Sequence, residues 1–242
     1  MTDVAAASLP APELLAQQAG WLAPARARLL RRVAIARRAR VLDLGAGYGA
    51  VTGELVRRAG GPVVALDLAW RALSAPAAFA GAGRVAGDAA RLPLADRAFD
   101  LVFCQCALLW MPAPAALAEI ERVLAPQGVL IALEPDYGGL MEAPAATAVG
   151  AVWQAALARA GADPVIGRQL PGWLAARGFQ VRVELLPELA PPEAARFAFL
   201  RELPLTAAER DQAAAAAAAD AALSGWAHVA HLPFFLVTAF KP

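Results

Sequence analysis

The chain has 242 residues and a formal net charge of +1, so it is long enough to bury a full core as one domain with local elaborations. A charge this close to neutral provides no overall attraction to nucleic acid or to anionic lipid. Hydrophobic residues make up 59% of the sequence, but much of that share is alanine, and no run of about 18 uncharged apolar residues predicts a membrane span.

Two local features of the sequence indicate which cellular compartment to expect and whether a metal is bound. Cys104 and Cys106 form a C-x-C in a strand-like run, without a second pair to complete a zinc set. The start of the sequence lacks a basic region followed by an apolar one. We therefore expect a cytoplasmic protein with two reduced cysteines and no bound metal.

Arginines crowd one short segment near the start of the sequence: Arg26, Arg28, Arg31, Arg32, Arg37, Arg38 and Arg40. The simplest interpretation is the solvated side of a helix whose other side carries Leu29, Leu30 and Val33. The alternative is a site for an anionic substrate.

The predicted elements alternate regularly as far as residue 135. Two N-terminal helices come first, the second opening at Pro24 and ending near Arg40. Strands and helices then follow in turn: a strand at Val41–Leu44, a helix to about Ala59, a strand at Val63–Asp67, a helix around Trp70–Phe79, a short strand near Arg84–Ala86, a strand at Phe99–Cys104, a helix at Ala115–Leu124 and a strand at Val129–Leu133. This order predicts a Rossmann-like α/β fold, a doubly wound and mostly parallel sheet with helices on both faces.

After Glu134 the alternation stops. We predict helices around Thr147–Ala160 and Leu170–Arg177, a strand at Phe179–Leu186, an alanine-rich helix that a Thr206–Glu209 capping box opens, and a last, antiparallel strand at Phe234–Phe240. The single domain would then consist of an N-terminal helical cap (1–38), a cofactor-binding core (39–135), a lid or substrate segment (136–178), and C-terminal strands with a helix (179–242).

A glycine-rich turn follows the first strand, in Asp43-Leu-Gly45-Ala46-Gly47-Tyr-Gly49. Glycines allow a tight turn and let backbone amides approach a ligand at the carboxyl edge of the sheet, where open α/β sheets bind their ligands. The helix that follows favours a carboxylate or a phosphate at its N-terminus. The spacing departs from the G-x-G-x-x-G of dinucleotide binders, which seat a diphosphate on the helix.

Two further acidic residues follow the next strands. Asp67 ends the second strand, where it can accept hydrogen bonds from both hydroxyls of a ribose. Asp88, in Gly87-Asp88-Ala89 after the third strand, can accept one from an adenine amino group. Each alone could be a turn aspartate, but together at one edge of the sheet they indicate a nucleoside site.

These motifs together resemble those of class I S-adenosylmethionine-dependent methyltransferases, in the branch of the ubiquinone/menaquinone-type small-molecule enzymes. The resemblance covers about residues 38 to 135 and includes Leu92-Pro93-Leu94, Phe99-Asp100-Leu101-Val102 and Arg122 to Gly128. It implies that Gly45 and Gly47 pass the methionine part, that Asp67 holds the ribose, that Asp88 contacts the adenine, and that Cys104-Gln105 lies beside the amino-acid end. The cofactor-binding set expected from it is Asp43, Gly45, Ala46, Gly47, Gly49, Asp67, Leu68, Gly87, Asp88, Ala89, Cys104 and Gln105.

The methyl acceptor is less well defined by the sequence. Many relatives carry a histidine after the fourth strand, but this chain has Ala107-Leu108-Leu109-Trp110 there, which suggests an apolar wall near Trp110 and Met111. Candidate catalytic residues are Glu134, Asp136 and Tyr137, at the carboxyl edge of the sheet, although Asp136 to Gly139 could be a simple turn. His228 and His231 are weaker candidates.

Several types of methylation are disfavoured because the sequence lacks the motifs that they require. These are methylation of nucleic-acid amino groups, methylation of cytosine through covalent attack, magnesium-dependent methylation of catechols, and methylation of arsenic. A small organic acceptor remains, with nucleic acid less favoured and the oligomeric state undefined. The alternatives are a nicotinamide-dependent oxidoreductase, an RNA methyltransferase that uses the Arg26–Arg40 segment, and a non-catalytic cofactor-binding protein.

Overall fold

The computed structural model describes residues 9–74, 76–186, 189 and 191–242. The strands are β1 (Val41–Leu44), β2 (Val63–Asp67), β3 (Ala82–Ala86), β4 (Phe99–Gln105), β5 (Leu124–Pro135), β6 (Met141–Ala143), β7 (Gln180–Leu185), β8 (Val229–His231) and β9 (Phe234–Phe240). The helices are α1 (Pro12–Trp21), α2 (Ala23–Arg32), α3 (Thr52–Arg58), α4 (Ala113–Val123), α5 (Gly150–Arg159), α6 (Ile166–Ala176), α7 (Ala195–Arg201) and α8 (Ala207–Ala221).

Seven of these strands form one sheet in the order β3-β2-β1-β4-β5-β9-β7, and β6 and β8 form a separate two-stranded sheet. Strands β1 to β5 pair in parallel, and β9 lies antiparallel between β5 and β7. The predicted Rossmann-like sheet with an antiparallel last strand is confirmed. The strand order reverses between β1 and β4, so the turn after β1 lies at the topological switch point where such sheets bind ligands.

The sheet is buried on both faces. Leu42, Leu44 and Val102 pack on one face with α4 and the C-terminal helices, whereas Val41 and Phe103 pack on the other with the N-terminal helices. This two-sided burial explains why the central strands read as nearly continuous apolar runs.

The two cysteines are both free, as predicted. They pack on opposite sides of the sheet. Cys106 lies beyond the end of β4 and takes a left-handed conformation (φ 53°), so it does not share the face of Cys104 as a strand position two residues away would.

Two predicted helices differ from the structure. The second N-terminal helix ends at Arg32, not near Arg40, because Ala34 takes a left-handed conformation (φ 53°) and a short 3-10 turn follows at Ile35–Arg37. The helix expected around Trp70–Phe79 is replaced by 3-10 turns at Ala72–Ser74 and Pro76–Phe79. Pro76 accounts for this difference, since proline lacks the amide that a continuing helix needs and disfavours helical geometry before it.

The capping box of α8 is present as predicted. The hydroxyl of Thr206 accepts a hydrogen bond from the Glu209 amide (3.2 Å), and the Glu209 carboxylate accepts one from the Thr206 amide (2.7 Å). We expect Thr206→Ala to lower the free energy of unfolding by about 1 kcal/mol, because one end of the helix loses its cap. Urea unfolding measures this change. Thr206→Ser, which keeps the hydroxyl, should remain near the wild type, and equal stability of the alanine variant would contradict the prediction.

Candidate functional site

The turn after β1 is built around glycines in left-handed geometry. Gly45, Gly47 and Gly49 have φ values of 74°, 53° and 80°. The amides of Gly45 and Ala46 both donate to the carbonyl of Leu66 in β2, at 2.8 and 3.0 Å. A Cβ on Gly45 would lie 2.4 Å from the Cβ of Ala107, which is closer than two non-bonded carbon atoms can approach. The turn therefore requires glycine for both its backbone angle and its close approach to the segment after β4.

Asp67 at the end of β2 orients this turn. One of its carboxylate oxygens accepts the Gly47 amide at 2.8 Å, and the other accepts the Ala69 amide at 2.8 Å. Each oxygen offers about two acceptor positions, so a half-buried carboxylate keeps capacity for further donors. The carboxylate thus both shapes the glycine turn and can still bind a ligand.

Asp43 lies beneath the same turn. Its carboxylate is buried and accepts the hydroxyl of Thr52, the first residue of α3, at 2.6 Å. Burial raises the pKa of Asp43 to about 6, which the hydrogen bond from Thr52 partly opposes. Thr52 was not among the residues predicted from the sequence, and it ties the strand end to the helix that follows the turn.

The ends of β2 and β3 present apolar and acidic groups at the surface. The Leu68 side chain is 68% exposed and Trp70 is also exposed. Asp88 is exposed, and one of its oxygens accepts the Ala90 amide at 2.8 Å, which makes it a turn aspartate with its second oxygen still available. Gly87 packs against Pro93, where a Cβ would lie 2.7 Å from the proline ring, and Ala89 is buried.

Glu134, near the end of β5, holds the segment that follows β4. Its side chain is fully buried, and its Oε1 accepts the amides of Ala107 (3.1 Å) and Leu108 (3.0 Å). Its Oε2 is buried without a hydrogen-bond partner among the described residues. Burial raises the pKa of Glu134 to about 7, although the two backbone hydrogen bonds oppose that rise. Cys104 lies 3.7 Å from the same Oε1, and burial keeps the pKa of its thiol well above the ordinary value.

Gln105, which ends β4, faces the N-terminal helices. Its side-chain oxygen accepts a hydrogen bond from the Arg26 guanidinium at 3.0 Å. Arg26 is 4% exposed and forms a salt bridge of 2.7 Å with Glu54 in α3. The basic segment is therefore not uniformly the solvated side of a helix, because one of its arginines is buried inside the site.

The other two predicted catalytic residues lie just beyond β5. Asp136 is buried, and its Oδ2 accepts two bonds from Arg168, each 2.8 Å long. Tyr137 is buried and stacks on Trp153 with ring centroids 4.9 Å apart, and burial raises the pKa of its phenol. The carboxylate is thus engaged by an arginine, and the phenol stays protonated near neutral pH.

The two histidines lie at β8: His228 directly precedes this strand and His231 is its last residue. His228 is buried with its Nδ1 2.8 Å from the Asp220 carboxylate, which also binds Arg196 at 2.8 Å. His231 is in β8, opposite Met141 of β6. Arg196 of α7 also pairs with Glu142 of β6 at 2.8 Å, so His228 contacts a polar cluster that joins α7, α8 and the two-stranded sheet.

The N-terminal helices cover the glycine turn. A Cβ at Gly47 would lie 3.8 Å from Leu15 of α1 and 4.0 Å from Leu9. Helix α1 in turn packs on α7, with the Trp21 and Phe199 rings 5.6 Å apart. The segment predicted as a cap therefore lies against the predicted cofactor loop.

None of the described helices has the length and apolar character that crossing a membrane requires.

Comparison with known proteins relates this arrangement to one family. Residues 42–132 match the family model described as a methyltransferase domain. The chain is 40% identical over 111 residues to an uncharacterized methyltransferase of Mycobacterium tuberculosis, which covers 46% of this chain and 41% of that protein. It is 44% identical over 100 residues to the malonyl-[acyl-carrier protein] O-methyltransferase of Methylococcus capsulatus, which covers 38% of this chain and 36% of the relative. The matches thus span about two fifths of the length of these relatives.

A solved structure extends the likeness to the fold. The crystal structure of a putative methyltransferase from Bacillus halodurans C-125 superposes with a TM-score of 0.62 at 20% identity, and the alignment covers 89% of this chain and 98% of that one. The family match includes the glycine turn after β1, Asp67, which orients that turn, and the segment after β4 that Glu134 supports. It ends at residue 132, two positions before Glu134 itself. Residues 42–132 therefore match a methyltransferase domain, in agreement with the resemblance to class I S-adenosylmethionine-dependent methyltransferases described in the sequence analysis.

Proposed function

We propose that the protein transfers a methyl group from S-adenosylmethionine to a small organic acceptor and releases S-adenosylhomocysteine. The observation that carries this proposal is the glycine turn at the switch point of the sheet. Its three left-handed glycines are intact, and the Asp67 carboxylate fixes it while retaining acceptor capacity. A protein that had lost cofactor binding would not need to keep this geometry, which disfavours a non-catalytic interaction protein.

The residues present fit this cofactor. Two exposed apolar side chains, Leu68 and Trp70, follow Asp67 and suit a flat base, and none of the described hydrogen bonds uses the second oxygen of Asp88. We assign the ribose to Asp67 and the adenine to Leu68, Gly87, Asp88 and Ala89. We assign the amino-acid end to Asp43, Gly45, Ala46, Gly47, Gly49, Cys104 and Gln105.

When bound, the cofactor supplies a methyl group that its sulfonium already activates, so the protein has mainly to align the acceptor and keep water out. Leu9 and Leu15 close over the glycine turn, and Met111 lies 3.2 Å from the position of a Cβ on Gly45. These side chains support a site with an apolar wall. The segment after β4 that carries Met111 is held by Glu134 from below.

The three predicted catalytic residues differ in the role that their surroundings support. Glu134 is fully buried and bonded to backbone amides, which supports a positioning role for it. Asp136 is engaged by Arg168. Tyr137 keeps its proton, because burial raises its pKa, so we assign to it a hydrogen bond donated to the acceptor and not the role of a base.

The acceptor class rests on the relatives. One of them is named as a malonyl-[acyl-carrier protein] O-methyltransferase, so its named acceptor is a malonyl group on a carrier protein. For this chain we propose a small organic acceptor, and the ubiquinone/menaquinone-type branch stays a prediction. RNA is less favoured, because Arg28 and Arg32 both pair with Glu184 and Arg26 pairs with Glu54. Those pairs neutralise part of the basic segment.

Replacing Asp67 by alanine tests the cofactor assignment. We expect Asp67→Ala to weaken binding of S-adenosylhomocysteine by about 5- to 150-fold, the equivalent of 1–3 kcal/mol for a lost hydrogen-bonding group. Isothermal titration calorimetry measures the affinity, with Asp211→Ala on the exposed side of α8 as the matched control. Wild-type affinity in the Asp67 variant would refute the ribose assignment. A wild-type protein that bound NADH and not S-adenosylhomocysteine would refute the proposed function itself.

A further inference from the structure

Arg26 differs from the other arginines of its segment. All seven arginines between positions 26 and 40 lie in the described part of the chain, and Arg26 is the buried one among them. Arg28 and Arg32 reach Glu184 in β7, at the surface, and Arg31, Arg37 and Arg40 are exposed. Burying a guanidinium is costly unless its donors are satisfied, so its partners indicate what it does.

The guanidinium of Arg26 joins four elements of the fold. Its Nε and Nη2 both bind the same oxygen of Glu54 in α3, at 2.8 and 2.7 Å. Its Nη1 donates to the Ala19 carbonyl in α1 at 2.8 Å and to the Gln105 side chain at the end of β4 at 3.0 Å. Since Arg26 itself belongs to α2, one planar group connects both cap helices with α3, which follows the glycine turn, and with the end of β4, the strand beside β1.

These contacts place Arg26 at the rear of the proposed cofactor site. Glu54 is in the first turn of α3, directly after the glycine turn, and Gln105 is in the pair assigned above to the amino-acid end of the cofactor. The cap helices that Arg26 ties down also carry Leu15, which covers Gly47. A shift of this guanidinium would therefore move both the floor and the cover of the site.

We propose that Arg26 is a positioning residue that couples the packing of the N-terminal cap to cofactor binding, by holding Gln105 and the start of α3 in one arrangement. The inference rests on the proposed function. Lysine cannot replace it fully, because the three donors of an ammonium group sit on one nitrogen and lack the planar fork by which the guanidinium reaches Glu54, Ala19 and Gln105. Glu54 keeps a second partner, since Arg58 binds its other oxygen at 2.9 Å, so losing Arg26 does not leave that carboxylate alone.

The test compares Arg26→Met with Arg26→Lys and with Arg31→Met, a control on an exposed position of the same helix. Calorimetry should show S-adenosylhomocysteine affinity lowered by about 10- to 100-fold for Arg26→Met, by less for Arg26→Lys, and by under about twofold for Arg31→Met. Adding Gln105→Ala to Arg26→Met should cost little more than Arg26→Met alone, because the two residues act through one contact. In steady-state assays with the acceptor, once identified, the KM for the cofactor should rise more than kcat falls.

The outcomes separate the inference from the function on which it rests. A melting temperature lowered in Arg26→Met with unchanged affinity of the folded protein would show a purely structural role and overturn the inference. Additive losses in the double variant would overturn the proposed route through Gln105. If Arg26→Met does not fold, Arg26→Lys and Gln105→Ala carry the same comparison. Failure of the wild type to bind the ligand would instead refute the proposed function, and this inference with it.

Discussion

Gly45→Ala is expected to lower the free energy of unfolding by about 2–5 kcal/mol and to weaken S-adenosylhomocysteine binding by more than about 10-fold. Two effects combine at this position. A side chain at φ 74° adopts the left-handed region that L-residues avoid, and its Cβ would lie 2.4 Å from the Cβ of Ala107. Ala107 cannot move aside freely, since Glu134 accepts its amide at 3.1 Å. Urea unfolding and calorimetry measure the two losses.

A companion variant separates the steric part from the backbone part. Gly45→Ala combined with Ala107→Gly removes the colliding methyl group and should recover most of the stability, leaving the left-handed penalty of about 1–2 kcal/mol. Gly172→Ala is the matched control, because a Cβ there meets no atom within 4 Å in the exposed part of α6. It should leave stability unchanged or raise it by up to about 1 kcal/mol. Wild-type stability of Gly45→Ala would refute the packing argument.

Glu134→Gln is expected to change how the stability depends on pH. In the folded protein the pKa of Glu134 is raised from its ordinary value of 4.5 to about 7 by burial, so the folded state holds the proton more tightly than the unfolded state. Its contribution to stability is therefore fully present below pH 4.5 and is lost as the pH rises through about 7. At about 1.4 kcal/mol per pH unit the loss is roughly 3 kcal/mol.

Glutamine keeps an oxygen for the amides of Ala107 and Leu108 but does not ionise. The wild type should therefore lose about 3 kcal/mol relative to Glu134→Gln between pH 4.5 and 8, as measured by urea unfolding across that range. Glu202→Gln, at an exposed position, should show the wild-type profile. Parallel profiles for the wild type and Glu134→Gln would contradict the raised pKa.

The strands and the glycine turn could be predicted because short-range signals define them. β2 and β9 have the predicted bounds, since each is an apolar run between turn-forming residues. The 3-10 turns after β2 show the opposite case. The run from Trp70 to Phe79 is rich in helix-forming residues and therefore predicts a helix, but Pro76 interrupts it and 3-10 turns form instead.

The site was predicted less completely, because its key contacts are long-range. The bond from Arg26 to Gln105 joins residues 79 positions apart, and no local pattern encodes it. One signal was available: Leu22, Arg26 and Leu30 are spaced by four, so Arg26 lies on the buried face of α2. The same limit applies to Glu134, where the sequence indicates a polar residue at the end of a strand but not that it accepts the amides of Ala107 and Leu108.

The position of β9 between β5 and β7 has a consequence for how the molecule assembles. Among the described strands, β7 pairs with β9 alone, so β7 has no place in the sheet until residues 234–240 have paired with β5. That pairing joins residues about a hundred positions apart, and closing so long a loop makes it a late folding event. Glu184 of β7 then forms its ion pairs with Arg28 and Arg32 of α2. We therefore expect these surface ties of the cap to form only after β9 has paired with β5.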